Sequence, residues 1–204
     1  MTVQPETRVE RKERTRRAIL DAALALTKDN TLAAVSLRQV AKEVGVVPTA
    51  FYRHFASVAD LGLALVDESF ESLRAMLREV RSGVPEFADL IDDSLAVLVE
   101  DIETHPDHYA FIARERAAGP APVRERIQHE IDLITRELST DIARLPGTDA
   151  WSSQDLLLLA DLIVATVVTT AERMILGRPR DRVVAETRRQ LRMLLIGALN
   201  WESR

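Results

Sequence analysis

Apolar residues recur at helical spacing along most of the 204-residue chain, and no stretch alternates apolar and polar positions as a strand would. After a polar tail over residues 1–10, a helix is expected from Arg11 to about Lys28. Its apolar stripe is Ile19, Ala22, Ala23 and Leu26, and Asp29-Asn30 ends it. Leu32 and Val35 then lead back into a core. A long helix from Ser57 to about Arg81 buries Leu61, Leu65, Phe70, Leu73 and Leu77. Pro85 and Pro106 open helices that end near Thr104 and Ala117. The loop around Gly119 leads to a helix over about 123–144, and Pro146-Gly147 breaks the chain. Ser152 or Ser153 caps a strongly apolar helix that ends near Leu176. A turn at Gly177–Arg180 precedes a last helix, Asp181 to Trp201. The expectation is an all-α chain of about nine helices.

The most specific local pattern is S-L-R-Q-V-A-K-E-V-G-V-V-P-T-A-F-Y-R-H-F, Ser36 to Phe55. Ser36 and Gln39 have the spacing of a capping box. Leu37, Val40, Ala41 and Val44 make one dry face. Gly45 lies where the chain must leave the helix, because only glycine takes the left-handed conformation without steric cost. Pro48 suits the first turn of a second helix, Pro48 to about His54. Phe51 and Phe55 anchor that helix and leave Thr49, Tyr52 and Arg53 facing outward. A short anchored helix with hydroxyl, phenol and guanidinium groups outside suits entry into a DNA major groove. Thr49 and Tyr52 can donate to phosphates, Arg53 can reach phosphate or guanine, and Arg38 and Lys42 can hold backbone.

Charge sharpens this reading. Residues 1–55 hold ten Lys+Arg against six Asp+Glu, while residues 56–204 hold 17 against 26. A basic head on an acidic body points to a polyanion at one end. Arg11, Lys12, Arg14, Arg16 and Arg17 crowd the start of the first helix. They oppose its dipole there, which makes sense if they meet phosphate. There is no cysteine, so disulfides and thiolate metal sites are excluded, in keeping with a reducing cytosol. No uninterrupted apolar run reaches the roughly 18 residues of a membrane helix, so no membrane partner is expected.

The Ser36–Phe55 pattern resembles the DNA-binding signature of TetR-type transcriptional repressors. V-P-T-A-F-Y-R-H-F, V-A-D-L-G-L-A-L-V-D-E-S and R-E-R at Arg114–Arg116 further resemble the subgroup that controls fatty-acid synthesis genes, especially for unsaturated chains, and senses acyl thioesters. The resemblance implies an N-terminal three-helix helix-turn-helix domain over 1–55. It also implies a helical ligand-binding and dimerisation domain over 56–204. Pro48–His54 becomes the recognition helix, with Tyr52 and His54 as phosphate contacts. Many family members carry a lysine where this chain has Val58, and the arginine-rich head can compensate. The DNA set is then Arg16, Arg17, Arg38, Lys42, Pro48, Thr49, Tyr52, Arg53 and His54.

Helices between 85 and 175 hold more apolar residues than one narrow stripe needs. Leu95, Leu98, Val99, Ile102, Phe111, Ile112, Ile127, Ile131, Ile134, Leu159, Leu162, Ile163 and Thr166 suit an elongated cavity or, equally, a filled core. The family resemblance favours a ligand, long-chain acyl-CoA, with Arg114, Arg116 and Arg124 at a cationic mouth. A drug or small aromatic metabolite is the alternative ligand. The last two helices expose apolar residues on several sides, among them Leu158, Val168, Ile175, Leu191, Leu195 and Trp201. They are expected to pair across a two-fold axis in a homodimer rather than bury one another in a monomer. His105 and His108, with Glu103 and Asp107, lack an evident third ligand and have Pro106 between them, so no metal is assigned. No nucleophile elbow, phosphate loop or H-E-x-x-H occurs, so neither an enzyme nor a cofactor is expected. A helical interaction protein that only borrowed the motif is the remaining alternative.

Overall fold

The computed structural model describes residues 7–28, 30–82, 90–145 and 147–202. Within them the chain forms nine α-helices and no strand. They are α1 (Arg8–Leu26), α2 (Leu37–Val44), α3 (Pro48–Phe51), α4 (Val58–Ser82), α5 (Leu90–Thr104), α6 (Pro106–Ala118), α7 (Ala121–Ile142), α8 (Ser153–Ile175) and α9 (Arg180–Leu199). The all-α expectation therefore holds. Asp29 as a helix end, and Pro85 and Pro146 as a start and a break, lie outside the described residues.

Boundaries follow local chemistry. α1 starts three residues earlier than expected because Thr7 and Glu10 form a capping box; Arg8–Glu10 are helix, not tail. Ser36 and Gln39 form the second box, and Gly45 closes α2 at φ 73°. Losing a serine cap of this kind costs about 1 kcal/mol. The Ser57 hydroxyl accepts the Asp60 N–H at the start of α4. The Ser152 hydroxyl accepts the Asp155 N–H at the start of α8.

The chain divides into two compact units. One comprises residues 1–69 and 110–126, the other 70–109 and 127–204. The unit that contains the helix-turn-helix also takes in the start of α4 and parts of α6 and α7. α4, α6 and α7 each run from one unit into the other.

In the first unit Ile19, Leu20 and Ala23 of α1, Val40 and Ala41 of α2, Phe51, Phe55, Leu61 and Leu65 are buried. Leu32, in a short 3-10 turn ahead of α2, is fully enclosed. Arg17 bridges Asp21 and Glu68, and Arg126 bridges Asp67, tying α1 and α7 to α4.

In the second unit α8 packs on α9, and α5 packs on both. Leu95, Leu98, Val99 and Ile102 form one apolar cluster, with Val167, Met174, Ile175 and Val184 against it. Ile142, Leu156, Leu159 and Ala160 form another, with Ile163 and Trp151 against it. The hydroxyls of Thr170 and Thr187, both buried, bond each other across α8 and α9 at 2.8 Å. Asp92 on α5 accepts from Arg188 and Arg192 on α9. α8 is long and apolar enough to cross a membrane by length and composition alone. Asp161 interrupts its apolar run, and Leu156, Leu159 and Ala160 are packed inside the unit.

Candidate nucleic-acid interface

The geometry around α3 starts from two aromatic anchors. Phe51 and Phe55 are buried, 5.8 Å apart between ring centroids, and Tyr52 meets Phe51 edge to face at 6.1 Å. The backbone stays helical in kind beyond the last assigned residue of α3. The N–H of Tyr52 bonds the Pro48 carbonyl, that of His54 bonds Phe51, and that of Phe55 bonds Phe51. One turn of helix is therefore held from beneath while its other face is left open. Pro48, Thr49 and Arg53 are exposed, and Tyr52 is 57% exposed. A tyrosine that bright to solvent, with its ring edge fixed and its hydroxyl outside, is suited to a polar partner rather than a core. Arg38 and Lys42 are exposed on α2.

His54 sits differently. Its side chain is half-buried, and Nδ1 is enclosed without a hydrogen-bond partner among the described residues. Burial, then the positive charge of Lys12 and Arg16, lowers its pKa; Glu13 opposes this and Arg53 adds to it. The imidazole is thus kept neutral in a cationic neighbourhood, which is where an approaching phosphate would reverse the balance.

Two members of the expected set have internal partners. Arg16 lies over the Phe55 ring, 4.6 Å from its centroid, a cation–π contact that fixes the guanidinium beside α3 and the turn that follows it. Arg17 pairs with Asp21 at 3.3 Å and Glu68 at 3.0 Å, bracing α1 against α4 while its side chain stays 59% exposed.

The residues expected to line one cavity are distributed between the units. Phe111, Arg114 and Arg116 fall in the helix-turn-helix unit; Leu95, Leu98, Val99, Ile102, Ile127, Ile131, Leu159, Leu162, Ile163 and Thr166 fall in the other. Leu95, Leu98, Val99 and Ile102 are packed core. Leu162 turns outward, 43% exposed, and does not line an interior. Two arginines of the expected cationic mouth have partners within the chain. Arg114 donates to the carbonyls of Thr27 and Asn30, and Arg124 donates to the carbonyl of Gly119. An open cleft of about 200 Å³ is lined by Ile102, Glu103, Pro106, Met174, Ile175, Arg178 and Arg180. Arg180 bridges Glu103 at its rim, at 2.6 Å. Of this lining only Ile102 was expected.

Among the expected interface residues, Leu158 and Trp201 are exposed, at 54% and 57%. Val168 and Leu195 are half-buried. Leu191 is buried within the chain, and Ile175, half-buried, packs on the Leu95 cluster. The exposed apolar face instead includes Leu157, Leu162, Met193, Ile196 and Leu199, which point outward on α8 and α9.

His105 is engaged with Asp101 at 3.1 Å, and Tyr109 donates to the same carboxylate at 2.7 Å. Burial, then this bond, raises the Tyr109 phenol well above its ordinary range. Among the described residues no group of three or more His, Cys, Asp or Glu is arranged to hold a metal.

Residues 19–65 match the family described as bacterial regulatory proteins, tetR family. The match spans α1 to the first part of α4, so the N-terminal domain is a TetR-type helix-turn-helix. A protein from Syntrophomonas wolfei assigned to the TetR-family transcriptional regulators superposes with a TM-score of 0.75, at 14% identity, over 93% of this chain and 99% of its own. The fatty acid degradation regulator FadR from Bacillus halodurans superposes with a TM-score of 0.71, at 13% identity, over 92% and 97%. A TetR-family transcriptional regulator from Agrobacterium tumefaciens gives 0.71 at 17% identity, over 89% and 98%. The chain has the fold of these regulators along nearly their whole length.

Proposed function

We propose that this TetR-type transcriptional regulator acts as a repressor that binds a palindromic operator as a homodimer. The observation that carries this is the open outer face of α3. Pro48, Thr49, Tyr52 and Arg53 stand free of the core on a turn that Phe51 and Phe55 hold rigidly. Two such turns on a two-fold axis enter major-groove half-sites a whole number of helical turns apart. The exposed leucines and Ile196 of α8 and α9 support the pairing, since contiguous apolar surface of this kind is usually covered. A protein that works on chromosomal DNA acts in the cytoplasm.

We further propose that the second unit senses long-chain acyl-CoA or a related acyl ligand and so ties the operator to fatty-acid and lipid metabolism. The sequence resemblance and the shared fold of the Bacillus halodurans fatty acid degradation regulator support this reading. The ligand regulates by binding one spacing of the two heads better than the other; equal affinity for both shifts nothing.

Two measurements test these readings separately. Tyr52→Ala should weaken operator binding in a gel shift by more than about tenfold, or 1.4 kcal/mol, with the fold intact. Unchanged binding would remove α3 as the reading element. A chain-length series of acyl-CoA should raise the melting temperature, because a ligand of the native state stabilises it. No shift at any length would replace the acyl reading with another ligand class.

A further inference from the structure

The turn that delivers the chain into α2 is held in an unusual way. Leu32 is fully enclosed, and its backbone N–H donates to Oε1 of Glu115 at 2.8 Å, from a residue 83 positions away. Glu115 is itself fully buried, yet its Oε2 has no hydrogen-bond partner among the described residues. The adjacent Arg114 donates to the carbonyls of Thr27 and Asn30. Two consecutive side chains of α6 thus grip the 27–32 segment, one by its carbonyls and one by an N–H. From the other side, α4 offers Gly62. A Cβ there would overlap Leu32 Cδ2 and stand 2.8 Å from Val123 Cγ2, so only glycine lets Leu32 seat on the α4 backbone. Gly119 completes the arrangement, since a Cβ there would lie 2.5 Å from Glu115 Oε2.

A carboxylate in this place costs desolvation, and half of its acceptor capacity goes unused. A packed apolar side chain would serve cohesion better. What the carboxylate supplies is direction, because a hydrogen bond fixes the height and angle of Leu32 where apolar packing allows sliding. Four residues separate Leu32 from the start of α2, so its seat fixes where α2 and α3 begin.

We propose that Leu32 is the seat that sets the pitch of α2 and α3, and that Gly62, Arg114 and Glu115 are positioning residues for operator recognition. The proposal rests on the DNA-binding reading above. None of these residues touches DNA; they act through the 27–32 segment.

The test uses the full-length chain and a duplex selected by the wild type from a random library. The duplex is then remade with one base pair inserted or removed between its half-sites. Glu115→Gln keeps the acceptor and should bind within about twofold of wild type, with the same spacing preference. Glu115→Leu and Arg114→Ala should lose at least about tenfold on the best spacing, while discrimination among spacings flattens. Gly62→Ala should do the same, and helicity by circular dichroism identifies any variant that has not folded. Wild-type affinity and spacing preference in folded Glu115→Leu and Arg114→Ala would overturn the proposal. So would an equal loss on every spacing, which is what simple destabilisation gives. If the wild type selects no duplex at all, the DNA-binding reading itself fails.

Discussion

Single residues decide where this molecule is exact and where it is free. Glu115 shows this most clearly. Burial raises its carboxyl above the ordinary range, against the lowering effects of the Leu32 N–H and Arg114. The folded chain therefore holds that proton more tightly than the unfolded chain. Its contribution to stability is present in full at acid pH and is lost as pH rises through the folded value. Glu115→Gln cannot ionise, so its melting temperature should gain on wild type between about pH 4 and pH 8, by about 2–4 °C for each kcal/mol removed. A difference that stays constant over that range would show that the carboxyl is not raised. The local chemistry of Ser36, Gln39, Gly45 and Pro48 was legible in the sequence, because caps and left-handed turns depend on neighbours three or four places away. Glu115 was not legible in its role. It stood in R-E-R as a charged residue between two cations, and its acceptor duty exists only because the fold brings Leu32 to it.

Among the elements, α8 is the most apolar helix, and α8 with the α9 that packs on it shows how expectation and structure part. Periodicity identified both helices to within a residue or two. It could not say which side faces inward, because α8 is apolar nearly all round and offers no polar face to orient it. The hydroxyl pair of Thr170 and Thr187 marks the inner side, and Leu191 lies on it too. The outer side is left to Leu158, Leu162 and Ile196. Leu158→Glu with Ile196→Glu should therefore turn the proposed homodimer into a folded monomer in sedimentation, since each charge would have to be buried unpaired at the proposed interface. A dimer of unchanged strength would place the two-fold contact elsewhere. α1 begins at Arg8 and ends at Leu26, against the expected Arg11 and Lys28, because Thr7 and Glu10 cap its start.

On the scale of the whole molecule, charge is divided between the ends of the chain. The described basic groups outside the core at the head include Arg38, Lys42 and Arg53, with Arg16 held beside them. Log affinity for a duplex should fall linearly with log salt, with a slope near −0.9 for each phosphate neutralised. A flat response would mean that these cations do not meet DNA. The expected division between residues 55 and 56 rested on a change of charge and of motif along the sequence. The compact unit that carries the reading helices includes 110–126, and only folding brings that stretch to residues 1–69. The same packing bears on how the chain is made. α8 could pass for a membrane segment by composition, and α9, which packs along it, is synthesised afterwards. At roughly 5–20 residues per second, the ribosome leaves this greasy span uncovered for a second or more before its cover follows. A chain that stopped before Arg180 would keep that span without its α9 cover and should aggregate more readily than the full chain.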